Sequence, residues 1–159
     1  MSQRVFLPVA GVVLILDQFA KYLAVSFLVS GESRPVFPGL FNLTLIRNEG
    51  IAFGLFHDLG AFLFGLITVS IAVLAVLGLR TDPSRILTQA GIGLILGGAL
   101  GNWVDRLRVG AVIDFLDFRV WPVFNLGASA ITLGVGILLW ELFFLKKTGP
   151  RPPSNSHVA

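Results

Sequence analysis

An aspartate, Asp114, lies in an apolar run just ahead of a long hydrophobic segment, within GAVIDFLDFRVWPVFNLGASAI (110–131). Apolar surroundings raise the pKa of a carboxyl by desolvation, although an acid at this place could instead be a solvated group at an interface. Acid–base hydrolysis of a peptide needs an ionised carboxyl that activates water and a protonated one that polarises the carbonyl. The next segment begins FNLGAS and contains no acid, so Asp114 lacks an evident partner there.

Two further ionisable groups, Asp17 and Lys21, interrupt the first apolar run of the chain. A charge near the middle of a bilayer costs at least ~2.5–3.5 kcal/mol on insertion scales. Residues four apart lie on one face of a helix, so we expect these two to neutralise each other. A structural ion pair is the simplest interpretation. Direct catalysis and the tuning of a neighbouring active site are the alternatives.

Small and polar side chains form stripes along the third apolar run, GIGLILGGALGNWVDRL. Glycines spaced by four give a groove into which another helix can pack closely, at Gly93, Gly97 and Gly101. A neighbouring stripe leads toward polar groups at the end of the run, through Gly98, Asn102, Asp105 and Arg106. Interfacial snorkelling and helix capping are the alternative role for these polar groups.

The segment RNEGIAFGLF contains Asn48 and Gly50 and precedes the second apolar run. Asparagine and glycine favour turns, so a simple turn into the next helix would explain the segment on its own.

The elements that must position these groups are membrane helices. Of the 159 residues, 55% are hydrophobic and only 13% are charged, about half the charge of a typical soluble domain. Four apolar runs approach the ~20 residues that cross a bilayer as a helix. They predict an all-α membrane protein with spans at about 5–29, 59–79, 86–104 and 124–145.

Between the first two spans, LFNLTLIR alternates apolar and polar residues, which is typical of a half-buried strand. We therefore expect a small extracytoplasmic β cradle, and a short extracytoplasmic loop or helix before the fourth span. Residues 1–147 form one domain in this interpretation. The Pro- and Ser-rich residues 148–159 are expected to be a disordered cytoplasmic tail.

Charge and composition also limit location and ligands. The basic flanks of the short connection LRTDPSR and of Lys146-Lys147 favour cytoplasmic termini. The chain has no cysteine, and its two histidines are far apart, so we expect no metal site. The net charge of +3 suits the anionic headgroups of the lipid bilayer better than nucleic acid, which we do not expect as a partner.

Five blocks together resemble the lipoprotein signal peptidases, or signal peptidases II, of bacteria. They are DQFAK (17–21), RNEGIAFG (47–54), GGALGNWVDR (97–106), VIDF (112–115) and FNLGASAI (124–131). The blocks occur in the family's order on the matching segments, and they cover nearly the whole chain apart from the tail.

The resemblance implies a multi-pass aspartyl endopeptidase of the bacterial cytoplasmic (inner) membrane, with its active site toward the outer leaflet. Such an enzyme removes the signal peptide from a membrane-embedded prolipoprotein just before a diacylglyceryl-cysteine. It implies no cofactor, and it implies inhibition by cyclic peptides of the globomycin type.

The resemblance also assigns the catalytic pair, to Asp114 and to the position of Ala128. The family has its second aspartate in a block FNxAD or FNxGD, and here alanine stands in its place. The chain as written is therefore expected to be inactive, with Asp117 or Asp105 as less suitable replacements. A single alanine in an otherwise intact block favours deliberate inactivation, and a natural binding-only pseudoenzyme is the alternative.

The remaining residues take their expected roles from the same resemblance. The substrate-binding residues would be Asn48, Gly50, Arg106, Asn102 and Asn125. Asn102 and Asn125 would also orient the site by hydrogen bonds. Asp17, Lys21 and Asp105 would support it. A small four-span proton-coupled transporter is the rival function, and a pairing of Asp17 with Lys21 would count against it.

Overall fold

The protein, seen in a computed structural model, is described over residues 4–49 and 59–145. Four α-helices make up most of it, and a π-helical turn, Glu141–Leu145, extends the last one. The helices are α1 (Phe6–Phe27), α2 (Leu59–Arg80), α3 (Ile86–Val109) and α4 (Leu126–Trp140). Gly50 and the tail predicted at 148–159 lie outside the described residues.

Three helices are long and apolar enough to cross a membrane, at Phe6–Phe27, Ile86–Val109 and Leu126–Phe144. Within the residues searched, α2 contributes a shorter apolar stretch, Phe64–Arg80, so the span predicted at 59–79 stays a prediction. Many large apolar side chains on the outer helix faces are exposed, as expected for surfaces that lipid covers. The third helix runs past the predicted end at 104 and carries its polar residues within its last turns.

A three-stranded antiparallel sheet confirms the predicted small β element. Its strands are β1 (Ser33–Phe37), β2 (Phe41–Asn48) and β3 (Val112–Asp117), in the order β1-β2-β3. The stretch LFNLTLIR falls almost entirely within β2, as its alternating pattern predicts. The register places Ile46 opposite Asp114, so the end of β2 lies beside that acid.

The segment before the last helix is a strand followed by a loop, and a helix there is ruled out. Helix α3 ends at Gly110, whose φ of 75° lets the chain reverse directly into β3. Successive side chains of a strand point to opposite faces, so Asp114 and Asp117, three positions apart, face opposite ways. Asp117 would lie beside Asp114 only if this segment were helical, and the segment is a strand.

Helix α3 packs between α1 and α4 by means of the predicted glycine stripes. A Cβ atom at Gly97 would lie 2.6 Å from the carbonyl oxygen of Ala10 in α1. A Cβ atom at Gly98 would overlap the carbonyl of Gly127 in α4. Small residues at these crossings let the backbones approach closely, which brings the polar ends of all three helices together.

Candidate active site

The site is built around Asp114 in β3, which is buried. Its Oδ2 accepts a hydrogen bond from Asn48 Nδ2 over 2.9 Å, and its Oδ1 accepts one from Asn125 Nδ2 over 2.6 Å. Burial raises the pKa of the Asp114 carboxyl above its ordinary value, while the two amide hydrogen bonds act to lower that pKa. Desolvation is the larger effect.

Asn125 connects the acid to the helix that follows. It is the N-cap of α4, and its Oδ1 accepts from the backbone N–H of Ala128 over 2.7 Å. An asparagine side chain in extended backbone geometry is a preferred cap because it satisfies an orphan N–H group. Its Nδ2 also lies within hydrogen-bonding distance of Asn102 Oδ1, at 3.1 Å, and of the Ile113 carbonyl, at 3.2 Å.

Lys21 is the centre of a buried ionic cluster beneath the site. Its Nζ lies 2.7 Å from Asp17 Oδ2 and 2.7 Å from Asp105 Oδ2, and all three side chains are almost fully buried. The predicted pairing of Asp17 with Lys21 is therefore present. Lys21 Nζ also donates to Asn102 Oδ1 over 2.8 Å, which links the cluster to Asn125. Breaking such a pair from one side typically costs ~3–5 kcal/mol.

The two carboxylates of this cluster fix neighbouring backbone. Asp17 Oδ1 accepts from the N–H of Gly127 over 2.7 Å, so α1 holds the first turn of α4. Asp105 Oδ2 accepts from the N–H of Ile113 over 3.1 Å, which holds β3 one residue before Asp114. Both acids thus act through backbone that carries the site.

Gln18 belongs to the same cluster and was missed by sequence reasoning. Its Nε2 donates to Asp105 Oδ1 over 2.9 Å and to the Gly101 carbonyl over 3.1 Å. The available signal was an amide inside an apolar helix, next to Asp17, since a polar group at membrane depth needs a partner.

Arg106 lies at the edge of the site and is half-buried. Its Nη1 donates to the Asn102 carbonyl one turn earlier, over 3.2 Å. Its guanidinium is near enough to Asp105 and Asp114 to interact electrostatically with both carboxylates. Arg106 and Lys21 therefore both interact electrostatically with the Asp114 carboxyl. Gly50 lies outside the described residues.

Asp114 and Ala128 line two different cavities. One of about 380 Å³ has a polar wall that includes Asn48, Glu49 and Asp114. The other, of about 530 Å³, is mostly apolar and is lined by Phe118, Trp121, Phe124, Ala128, Thr132 and Leu133 among others. Sequence reasoning missed the aromatic wall, because its members come from the loop after β3 and from α4.

Asp117 is engaged elsewhere. Its Oδ2 accepts from Thr44 Oγ1 over 2.7 Å and its Oδ1 from the N–H of Arg119 over 2.8 Å. Both hydrogen bonds lower the pKa of Asp117, and the bond from Thr44 has the larger effect. An acid held ionised on the opposite face of β3 is poorly suited to share a proton with Asp114.

The arrangement offers one carboxyl with a raised pKa, which can either hold a proton or take one. At the neighbouring position 128 it offers only a methyl group. Within residues 4–49 and 59–145, no three acidic or histidine side chains are grouped so that they could hold a metal ion.

Known proteins resemble this chain in sequence and in fold. A family model described as signal peptidase (SPase) II matches residues 9–144. A lipoprotein signal peptidase of Moorella thermoacetica is 46% identical over 138 residues, 86% of this chain and 91% of that protein. One of Pelotomaculum thermopropionicum is 46% identical over 135 residues, 84% and 88% of the two chains. A solved bacterial membrane enzyme is 30% identical, with a TM-score of 0.83 over 91% of this chain and 98% of its own.

Proposed function

Because the chain belongs to the signal peptidase II family of aspartic proteases, we propose that it is built to remove signal peptides from prolipoproteins in the membrane. We further propose that it binds such substrates without cutting them, because Ala128 occupies the place of the second catalytic acid. The observation that carries this proposal is the side chain of Asn125, which bonds both to Asp114 and to the backbone of residue 128.

Peptide hydrolysis by carboxyls depends on two acids that share one proton. When two carboxyls are close, they cannot both ionise, so one serves as base toward water while the other polarises the scissile carbonyl. Asp114 can fill one role at a time. The methyl group of Ala128 can neither accept nor donate a proton, and losing a proton-transfer group costs on the order of 10²–10⁴-fold in rate.

The other acids near the site do not supply the missing group in this proposal. Asp117 lies on the far face of β3 with its oxygens bonded to Thr44 and Arg119. Asp105 is paired with Lys21 at 2.7 Å and bonded to Gln18 and Ile113. Each carboxylate would have to leave its partners before it could meet a substrate.

We assign the remaining residues by what their side chains contact. Asn48 is exposed at the end of β2, and Arg106 is half-buried at the edge, so both can reach a substrate backbone. Gly50 joins them only through its match to the family pattern. Asn102 and Asn125 hold the site from within, since their amides are bonded to Lys21 and Asp114.

The two cavities suggest how a lipid-modified peptide would lie. The polar cavity beside Asp114 suits the peptide backbone at the scissile bond. The apolar cavity beside Ala128 suits the diacylglyceryl group of the modified cysteine. A substrate with both parts would therefore place its scissile bond between positions 114 and 128.

The location follows from the spans and from the charge of their connections. We propose a multi-pass protein of the bacterial cytoplasmic (inner) membrane with four spans, of which α2 is the second. Both termini would be cytoplasmic, with 148–159 as a disordered tail, and the site and its sheet would be at the outer leaflet.

Binding and turnover are tested separately on the unaltered chain. A diacylglyceryl-modified prolipoprotein should show no shift to the cleaved form on a gel. A cyclic peptide of the globomycin type should still raise the unfolding temperature, with calorimetric affinity lower by about 1–3 kcal/mol than for a two-acid site. Absence of binding to a well-folded sample would contradict the assignment of the cleft.

A further inference from the structure

A third cavity, of about 200 Å³, lies between α1 and α3 at the end of the bundle that carries the sheet. Its volume is several times the ≈30 Å³ of a water molecule, enough for a small polar group but not for acyl chains. None of the residues that line it lines either of the two cavities at the site. The lining residues used below are Gln18, Lys21, Tyr22, Asp105, Arg108 and Ile113.

Asp114 lines the polar cavity at the site and does not line this one. Lys21 and Asp105 line this cavity, and they also support the site through Asn102 and Ile113. Ile113 and Asp114 are neighbours on β3, and their side chains point to opposite faces of the strand. A ligand here would therefore not compete with a substrate at Asp114.

The cavity offers a cation. Lys21 lies 2.7 Å from each of two carboxylates, Asp17 and Asp105, so these three groups together carry a charge of −1 and Lys21 is not available to an anion. Arg108 is exposed, and over residues 4–49 and 59–145 its side chain makes no ion pair or hydrogen bond. An arginine binds a phosphate group through paired N–H donors, so an anionic phosphate fits this position.

The cavity also offers an acceptor beside that cation. Both hydrogen bonds of the Gln18 amide to other elements use its nitrogen, toward Asp105 and Gly101. Within the described part of the chain, no donor reaches the amide oxygen of Gln18. A hydroxyl group of a ligand could therefore donate to it.

The position in the fold indicates what kind of molecule carries the phosphate. Tyr22 lies in the last two turns of α1 and Arg108 in the last turn of α3. The topology proposed above puts these helix ends at the membrane–water boundary. Tyrosine and arginine are both suited to that depth. Tyr22 is exposed. In the proposed topology its surface faces lipid, so the cavity would be accessible from the bilayer.

We propose that this cavity binds the headgroup of an anionic phospholipid, with the phosphate on Arg108 and a headgroup hydroxyl on the oxygen of Gln18. The acyl chains would remain in the bilayer, along α1 and α3. This site is independent of cleavage, so it can be tested on the unaltered chain.

The test measures lipid retained by the purified, delipidated protein in native mass spectrometry. Phosphatidylglycerol is compared with phosphatidylcholine of the same acyl chains, for the unaltered chain, Arg108→Gln and Arg34→Gln. Arg34 is a matched control because it is an exposed arginine of β1 outside the cavity. We expect Arg108→Gln to weaken phosphatidylglycerol binding by about tenfold, and Arg34→Gln to leave it unchanged. Equal effects of the two variants, or equal retention of both lipids, would overturn the proposal.

A competition arm separates a lipid site from a site for free phosphate. Inorganic phosphate in large excess should not displace phosphatidylglycerol from the unaltered chain. Displacement would identify a site for a free anion and would overturn the lipid assignment. Unfolding temperatures of both arginine variants are measured in parallel, and we expect them to match the unaltered chain because both side chains are exposed.

Discussion

The side-chain amide of Asn125 donates to Asp114, with 2.6 Å between Nδ2 and Oδ1. The oxygen of the same amide accepts from the N–H of Ala128 over 2.7 Å and caps α4. One planar group therefore joins the surviving acid to the position where the second acid is expected. The geometry that starts the last helix also sets the spacing of the two halves of the site.

Replacement of Asn125 should separate its two roles. Asn125→Ala removes both the cap and the bond to Asp114, and loss of the cap alone lowers the free energy of unfolding by about 0.5–2 kcal/mol. Asn125→Ser can still cap α4 but is too short to hold Asp114, so we expect intermediate stability. Chemical denaturation in detergent measures both. A serine variant no more stable than the alanine variant would contradict the capping role.

Stability should depend on pH through Asp114, because burial raises the pKa of its carboxyl above the ordinary value. Between those two pKa values the folded state holds a proton that the unfolded state has released, so stability falls as the pH rises through this window. Asp114→Asn cannot titrate. As the pH increases through the window, the unfolding temperature of Asp114→Asn should therefore rise relative to that of the unaltered chain. Below the window and above it, the difference between the two proteins should not change with pH.

The unfolding of the unaltered chain and of Asp114→Asn is followed from about pH 3 to about pH 8. This range includes the ordinary pKa of an aspartate and extends well above it. The difference between them isolates Asp114, since the other titrating groups are shared. A difference that changes in the opposite direction would mean that the carboxylate is stabilised in the fold, contrary to the dominance of desolvation.

Topology can be measured directly because the chain has no cysteine. Single cysteines at Leu40, Asp82 and Phe118 should react differently with a membrane-impermeant reagent applied to intact cells. Leu40 and Phe118 lie at the sheet, where the rings of Phe41 and Phe118 are 4.9 Å apart. Asp82 lies in the connection between α2 and α3. We expect outside labelling of the first and last only, and outside labelling at position 82 would reverse the orientation.

The apolar runs and the alternating β2 pattern predicted the helices and the sheet, because burial in lipid and half-burial of a strand leave periodic signals. The segment around Asp114 was harder to predict. Its run VIDFLD is apolar at most positions, and a short apolar run does not distinguish strand from helix. The segment forms a strand because it pairs with β2, and this pairing is a long-range contact.

The site was predicted by motif, and its internal connections were not. Spacing alone could pair Asp17 with Lys21, since both lie on one helix face. Spacing could not predict the ion pair of Asp105 with Lys21 or the hydrogen bond from the Gly127 N–H to Asp17, because these contacts depend on how three helices pack. Gln18 was missed for the same reason.

The account rests on the absence of one carboxyl, so restoring it is the most direct test. Residue 128 is in the first turn of α4, where a negative charge is favourable near the helix N-terminus, so Ala128→Asp should fold. The new acid and Asp114 should titrate as a pair. Ala128→Asn is the matched control, because it has nearly the same shape but cannot act as an acid or a base.

The measurement is gel-shift cleavage of a diacylglyceryl-modified prolipoprotein by the unaltered chain, Ala128→Asp, Ala128→Asn, and Ala128→Asp combined with Asp114→Asn. We predict that Ala128→Asp alone cleaves, at least about 10²-fold faster than the other three. Addition of Asp117→Asn should leave that activity intact. A folded but inactive Ala128→Asp protein, or robust cleavage by the unaltered chain, would contradict the account.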